Sequence, residues 1–359
     1  VGETVHLASG VNIPYYYAAV FAVAELGLSL ITDWSSCRTL KDVDGTRSRM
    51  YGKIDYILED RNDALNSQLF YRCQNLRNAK YGKNIITIDA FKNYQIKDHD
   101  LYAGMKDLVR CQPDHILVIT ASGGTTGDPT VVKETHSKIM LMSNYTSTNQ
   151  NFEHEEKVMH TNNLHHGSSM CLYFLPSLFT CWQHYFCALD SPGRYKKFVD
   201  FCVSEKINRL FLFTSQLLEK FLNAVPKINY SLRILTLYQI TPDFVKLIKE
   251  KGITSISSTF GDTTIGSMFF LKTATADTDL TTYSTSNMGK PLGDFYQFEI
   301  RDSLLYIKSD KLKLEWSTSN DKFGLIDGDY YFYGRANEFR IGEEWIHLGD
   351  IDEIGRAHV

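Results

Sequence analysis

The chain has 359 residues, with 38 Lys+Arg against 42 Asp+Glu and 43% hydrophobic residues, for a formal net charge of −4. At roughly 100–200 residues per domain, that length predicts two or three subdomains around a sizeable core. Ordinary apolar and charged fractions exclude global disorder, a collagen-like chain and a coiled-coil fibre, and a near-neutral balance without a basic run argues against nucleic acid or an acidic membrane as the main partner.

In chain order, Thr4 to Leu7 reads as a strand, followed by a polar turn, a helix with apolar residues at helical spacing, and a second strand. Such a βαβ start implies a parallel sheet covered by helices. NIITIDA (Asn84–Ala90) is a strand bounded by polar residues, and ILVIT (Ile116–Thr120) is a continuous apolar run of the kind buried strands show. ASGGTTGDP follows, and VVKETHSKIMLMSNY after it is expected to become helical. Residues 196–255 alternate helix and strand: YKKFVDFCVSEK, RLFLF, SQLLEKFLNAV, LRILTLY and DFVKLIKEKG. From about 256 the texture changes to short strands and turns, as in FYQFEIRD, SLLYIKSD and DGDYYFYGR, which predicts a smaller β-rich unit.

The apolar run from Tyr15 to Thr32 is broken by Glu25, and Met170 to Trp182 is 13 residues with Pro176 inside, short of the ~20 a membrane span needs. The start shows no signal peptide. Seven cysteines (Cys37, Cys73, Cys111, Cys171, Cys181, Cys187, Cys202) form no CxxC pair, so the reading is reduced, packed thiols in a soluble cytoplasmic protein, monomeric or dimeric. Glu353–Val359 (EIGRAHV) matches what one reading frame of a widely used sequencing adapter encodes, so fold reasoning ends near Asp352.

The loop Ser122-Gly123-Gly124-Thr125-Thr126-Gly127 offers three glycines and three hydroxyls. Successive backbone N–H groups in such a loop make an anion-binding concavity, though taken alone a structural turn is an equal reading. It is not a GxxxxGK[ST] loop, since no Lys-Ser/Thr follows the last glycine. Further on stand FGDTT (Phe260–Thr264), GKPLGDFYQFEI (Gly289–Ile300) and SNDKFGLIDGDYYFYGRANEF (Ser319–Phe339), then EEWIHLGDIDEI. Together these blocks resemble the adenylate-forming superfamily: acyl-CoA synthetases, adenylation domains of nonribosomal peptide synthetases, and luciferases. SGGTTGDPTVVKETH aligns without a gap to the family's T-S-G-[ST]-T-G-x-P-K loop and its T-H, with Thr130 in place of the Lys. FGDTT matches Y-G-x-T-E, and the last blocks match G-x-P-x, then T-G-D-x-G and G-R-x-[DK]-E.

The resemblance implies an α/β fold of layered, mostly parallel sheets with a small β-rich subdomain. It divides the chain into α/β subdomains over 1–255, a β-rich completion over 256–336, and the start of a C-terminal lid over 337–352, with Asn337 at the hinge. The activity implied is ATP-dependent activation of a carboxylic acid to an acyl-adenylate, followed by transfer to coenzyme A or a phosphopantetheine carrier protein. ATP and Mg²⁺ are the cofactors, and a small carboxylic acid and a carrier protein the partners. By the same resemblance Ser122–Gly127 would surround the β- and γ-phosphates, where preorganised donors lower the barrier to pyrophosphate departure. Asp321 would accept from both ribose hydroxyls and the forked Arg335 would add hydrogen bonds to ribose or phosphate. Phe260, with Gly261 and Asp262 behind it, would stack on adenine in place of the usual Tyr. Thr263 would reach the α-phosphate, Thr264 stands where the family has the Mg²⁺-binding Glu, and His165 or His166 in NNLHHGSSM would gate or orient the carboxylate, with a histidine packed near a turn as an equal reading.

Several departures matter. A hydroxyl at Thr264 is a weaker ligand for a hard cation than a carboxylate, so metal binding would lean on phosphate oxygens and water, and Asp262 two residues earlier could compensate. Tyr238-Gln239 replaces the glycine pair that usually follows the LRILTL strand and would alter the acyl and adenine pocket. The family's lid with its catalytic Lys is expected to be missing, which would leave nucleotide binding stronger than turnover. The alternative reading is a non-catalytic nucleotide-binding or scaffold relative; an α/β hydrolase is excluded because HGSSM is not a G-x-S-x-G elbow.

Overall fold

A computed structural model describes residues 3–7, 14–31, 56–59, 84–87, 112–121, 131–161, 169–181, 183–187, 192–212, 215–237, 239–262, 265–336, 338–341 and 344–347. The chain forms two compact units, and everything from Cys171 onward belongs to the second.

The first unit holds a six-stranded sheet. Its strands are β1 (Thr4–Leu7), β2 (Ser29–Ile31), β3 (Tyr56–Glu59), β4 (Asn84–Thr87), β5 (Ile116–Ala121) and β6 (Val131–Thr135), in spatial order β4-β3-β1-β2-β5-β6. All neighbours are parallel except β5 and β6. Helix α1 (Pro14–Glu25) connects β1 to β2, starting on a proline whose missing N–H costs nothing there. Leu30, Ile31, Val118 and Ile119 are buried side by side, which is why β2 and β5 read as unbroken apolar runs. The segment after the glycine-rich loop differs from the helical expectation. Val131–Thr135 is an antiparallel strand, and helix α2 (His136–Gln150) begins only at His136. Alternating burial of Val132 and Glu134 holds the strand, and the Thr135 hydroxyl accepts from Lys138 N at 3.2 Å, capping the helix start.

The second unit carries a six-stranded sheet of β7 (Lys157–His160), β8 (Gln183–Phe186), β9 (Arg209–Phe211), β10 (Arg233–Thr236), β11 (Ser255–Asp262) and β12 (Gly266–Ala274). The order is β12-β11-β10-β9-β7-β8, parallel except for the β11–β12 hairpin. Helices α3 (Pro192–Ser204), α4 (Ser215–Ala224) and α5 (Pro242–Lys251) supply one core through Phe198, Cys202, Leu218, Phe221, Leu222, Val245 and Ile248. Phe152, Tyr173, Cys181, Phe211 and Leu235 form another. The limits of α5 are set locally. Thr241 accepts from Phe244 N, Pro242 opens the first turn, and Gly252 closes it in the left-handed region, where a Cβ would meet Ile228 O at 2.5 Å.

A third, five-stranded antiparallel sheet completes the unit: β13 (Asn287–Gly289), β14 (Gln297–Arg301), β15 (Leu304–Ser309), β16 (Leu314–Ile326) and β17 (Asp329–Arg335), in the order β13-β17-β16-β15-β14. A two-stranded pair, β18 (Glu338–Ile341) and β19 (Glu344–His347), follows. Alternating burial in β15 and β16 matches the period-2 pattern of the sequence. Among the described residues no helix is long and apolar enough to cross a membrane.

Two buried polar groupings tie β7 to its neighbours. Arg209 Nε donates to Glu156 Oε2 at 2.7 Å, its Nη2 donates to Asn151 O, and its guanidinium lies 4.8 Å from the Phe152 ring centroid. Breaking a buried pair leaves a charge without compensation, so Glu156→Ala should lose about 3–5 kcal/mol in urea unfolding; a loss below about 1 kcal/mol would contradict this. Beside it, His160 and His184 share a hydrogen bond of 3.0 Å, and His184 Nε2 donates to Cys181 O at 2.9 Å. With Nε2 of His184 protonated, its Nδ1 accepts, so His160 Nε2 donates. Burial holds both rings below the usual histidine range. The unfolded chain therefore binds protons near pH 6.5 that the fold refuses, and stability should fall as pH drops below that value. Urea midpoints that are flat between about pH 7.5 and 5.5 would count against it.

Candidate nucleotide site

Two hairpins build the site, and each is positioned by local chemistry. In the first, β11 and β12 pair with Phe260 opposite Phe270, and the register shifts between Phe260 and Asp262, at Gly261. Asp262 then faces Gly266 across the hairpin, and its Oδ1 accepts from Ile265 N at 3.1 Å. Gly266 is required there: a Cβ would come within 2.1 Å of Tyr296 Oη.

The second hairpin turns through Asp327 and Gly328, both at positive φ (53° and 85°), the two-residue Asp-Gly connection that fits the twist of paired strands. This turn sets Ile326 opposite Asp329, and the register runs unchanged to Phe323 opposite Phe332. A shift between Phe323 and Lys322 then moves the pairing by one, setting Lys322 opposite Gly334 and Asp321 opposite Arg335. Bulges of this kind re-aim side chains.

Asp321 is 6% exposed, and its Oδ1 lies 3.8 Å from Arg335 Nε, an ion-pair distance longer than a hydrogen bond. Its backbone N–H donates to Ser319 Oγ at 3.3 Å, and Asn320 O accepts from Ala336 N at 2.8 Å, closing the strand ends around it. Arg335 is part exposed, so the guanidinium borders solvent while the carboxylate is buried.

Phe260 joins the hairpins. Its ring meets Phe323 edge-on at 5.1 Å and Phe332 at 5.3 Å, with Phe269 and Phe270 each at 6.3 Å, while it remains partly exposed. Phe323 is two residues from Asp321, both buried, so one aromatic wall backs Phe260 and the Asp321–Arg335 pair together. The structure thus gathers Phe260, Gly261, Asp262, Asp321 and Arg335 of the residues singled out from sequence. Ser122, Gly123, Gly124, Thr125, Thr126, Gly127, His165, Thr263 and Thr264 lie outside the described residues, as do Thr130, Tyr238 and Asn337. Reading the sequence missed Phe323 and Phe332 as the backing of the site. Their signal was Phe323 two residues after Asp321 and the run of four aromatics, Tyr330–Tyr333, that follows the Asp-Gly turn.

This layered α/β arrangement, with its small antiparallel sheet, is the fold of adenylate-forming enzymes. The AMP-binding enzyme family profile matches residues 53–307, more than half of the chain, and the protein belongs to that family. The match includes Phe260–Thr264 and the glycine-rich loop, whereas Asp321 and Arg335 lie beyond it. Among solved structures, McyG A-PCP complexed with phenylalanyl-adenylate is similar at a TM-score of 0.72 and 16% identity, covering 97% of this chain and 68% of that one. O-succinylbenzoate coenzyme A synthetase (MenE) from Bacillus subtilis, in complex with ATP and magnesium ion, matches at 0.68 and 14%, covering 99% and 74%. The adenylation domain of a keto acid-selecting NRPS module, bound to keto acyl adenylate, matches at 0.70 and 13%, covering 99% and 75%. No curated protein sequence matches the chain.

The tight fit at the first hairpin gives a test of this geometry. Gly266→Ala should destabilise the second unit by about 1–3 kcal/mol through overpacking. Adding Tyr296→Phe, which removes the clashing oxygen, should recover part of it. A G266A protein as stable as wild type in urea would contradict the close approach.

Proposed function

We propose that the protein activates a carboxylic acid with ATP. The carboxylate attacks the α-phosphorus, the bond to the bridging oxygen breaks, pyrophosphate leaves, and an acyl-adenylate forms. A second step would pass the acyl group to the thiol of coenzyme A or of a phosphopantetheine carrier protein. The observation that carries this reading is the buried Asp321 paired with Arg335 beside a partly exposed Phe260, in a member of the AMP-binding enzyme family.

In this reading each residue has a physical task. The Asp321 carboxylate, held in place by its strand register and the Ser319 hydroxyl, accepts from the two ribose hydroxyls; charge-assisted bonds of this kind are the strong ones. Arg335 sets a positive charge 3.8 Å from the Asp321 carboxylate and directs its donors to ribose or phosphate. Phe260, fixed edge-on against Phe323, offers an apolar surface to adenine. The loop Ser122–Gly127 surrounds the β- and γ-phosphates with N–H and hydroxyl donors, Thr263 reaches the α-phosphate, and His165 orients the incoming carboxylate. The described residues contain no cluster of three or more His, Cys, Asp or Glu fit to hold a metal. With a hydroxyl at Thr264 where the family has a carboxylate, a Mg²⁺ ion would be held chiefly by phosphate oxygens and water, with Thr264 as a weak ligand, and would neutralise charge on the phosphates.

The structures that resemble this one contain phenylalanyl-adenylate, ATP with magnesium, or a keto acyl adenylate, which supports the adenylate step. One of them pairs an adenylation domain with a carrier, and another is a coenzyme A synthetase, so both acceptor classes stay within the proposal.

A thermal-shift titration with Mg-ATP tests the nucleotide site. A ligand at 100 times its dissociation constant stabilises the fold by about 2.7 kcal/mol, so wild type should show a clear rise in Tm. Asp321→Ala should lose the shift, and GTP should give a smaller one. An equal shift in wild type and variant would remove Asp321 from the site.

A further inference from the structure

Lys272 in β12 stands where the second and third sheets of the second unit meet, and its contacts form a continuous chain. Its half-buried Nζ donates to Ser284 O at 2.5 Å and lies 4.1 Å from the centroid of the Tyr283 ring. Tyr283 Oη donates to Ile240 O at 2.9 Å. Ser284 O also accepts from Asn287 N, and Asn287 Nδ2 donates to Asp329 Oδ2 at 2.9 Å and to Tyr331 Oη at 3.2 Å. One ammonium thus links β12, the connection 275–286, the connection between β10 and α5, and the edge of the third sheet.

The charges around Lys272 account for its state. Burial lowers its pKa to about 8, and the Asp329 carboxylate acts against that shift, so at neutral pH most of it remains ammonium. Burial also pushes the Tyr283 phenol up to about 12, which keeps its proton available for Ile240 O. An ammonium over a partly desolvated ring gains electrostatically beyond its hydrogen bond. Met at position 272 would lose both; Arg would keep a cation and donors.

Ile240 lies in the connection between β10 and α5, whose first residue, Leu237, packs against the same aromatic cluster as Phe260. We propose that Lys272 and Tyr283 are positioning residues: a clamp that fixes the backbone at Ile240 and, through the connection between β10 and α5, the seat of Leu237 on the aromatic cluster that it shares with Phe260. This rests on the acyl-activating reading above.

The test compares wild type with Lys272→Met, Lys272→Arg and Tyr283→Phe. Hydrogen exchange is read on peptides covering 237–241 and 275–286, together with the Mg-ATP dissociation constant from calorimetry. The clamp predicts at least about tenfold faster exchange of both segments in K272M and Y283F, near-normal exchange in K272R, and peptides from α3 and α4 unchanged in all variants. Affinity for Mg-ATP should fall about fivefold or more in K272M and Y283F and recover in K272R. Unchanged exchange in 237–241 for K272M, or K272R as damaging as K272M, would overturn the clamp. Should K272M fail to fold, Y283F keeps the ring under the ammonium and removes only the bond to Ile240. Exchange needs no nucleotide, so wild type that does not bind Mg-ATP would sink the functional reading while exchange still decides the clamp. A normal affinity in variants whose segments open would leave the clamp structural only and overturn its positioning role.

Discussion

The site depends on an aromatic weld between two hairpins. Phe260, Phe269 and Phe270 from β11–β12 pack against Phe298, Phe323, Tyr330 and Phe332 from the third sheet, with Tyr296 and Phe295 closing the edge. Aromatic side chains bury large areas and favour tilted and edge-on contacts, so such a cluster fixes orientation as well as distance. The weld holds the strand end carrying Asp262 in a set relation to Asp321 and Arg335. Without it the third sheet would share little apolar surface with the parallel sheet, and the residues that this reading assigns to base and ribose would have no common frame.

The weld is combined with two backbone devices that aim the polar groups. The Asp-Gly turn sets the register of β16 and β17, and the shift near Phe323 moves that register by one to bring Asp321 opposite Arg335. The irregularity at Gly261 does the same for Asp262, turning it back on Ile265. Placing a carboxylate at 6% exposure is costly unless a positive charge and N–H or O–H donors meet it. To what the fold provides around Asp321, this reading adds a ligand's two ribose hydroxyls as donors. In the same unit, the buried Arg209–Glu156 pair and the neutral His160–His184 pair are polar groups partnered inside the fold.

Much of this architecture is legible in the sequence, and the boundary of what is legible has a physical explanation. RLFLF and LRILTLY read as buried strands because their runs are continuous, and Thr241-Pro242 with Gly252 marks both ends of α5. The ordered blocks of glycines, Asp and Arg identify the fold through the family resemblance they carry. Three features stay hidden. The strand Val131–Thr135 looks helical because KETHSK continues into a true helix, and only pairing with β5 decides its state. The one-residue register shift leaves no compositional mark. Contacts between residues far apart in sequence, such as Phe260 with Phe323 or Glu156 with Arg209, depend on topology and not on local pattern.

The central claim is that the corner formed by Phe260, Asp321 and Arg335 holds an adenine nucleotide. A crystal structure of the chain grown with AMP tests it most directly. The account predicts both ribose hydroxyls within about 3.2 Å of the Asp321 carboxylate and the adenine ring against Phe260. AMP bound elsewhere, away from Asp321 and Phe260, would contradict it.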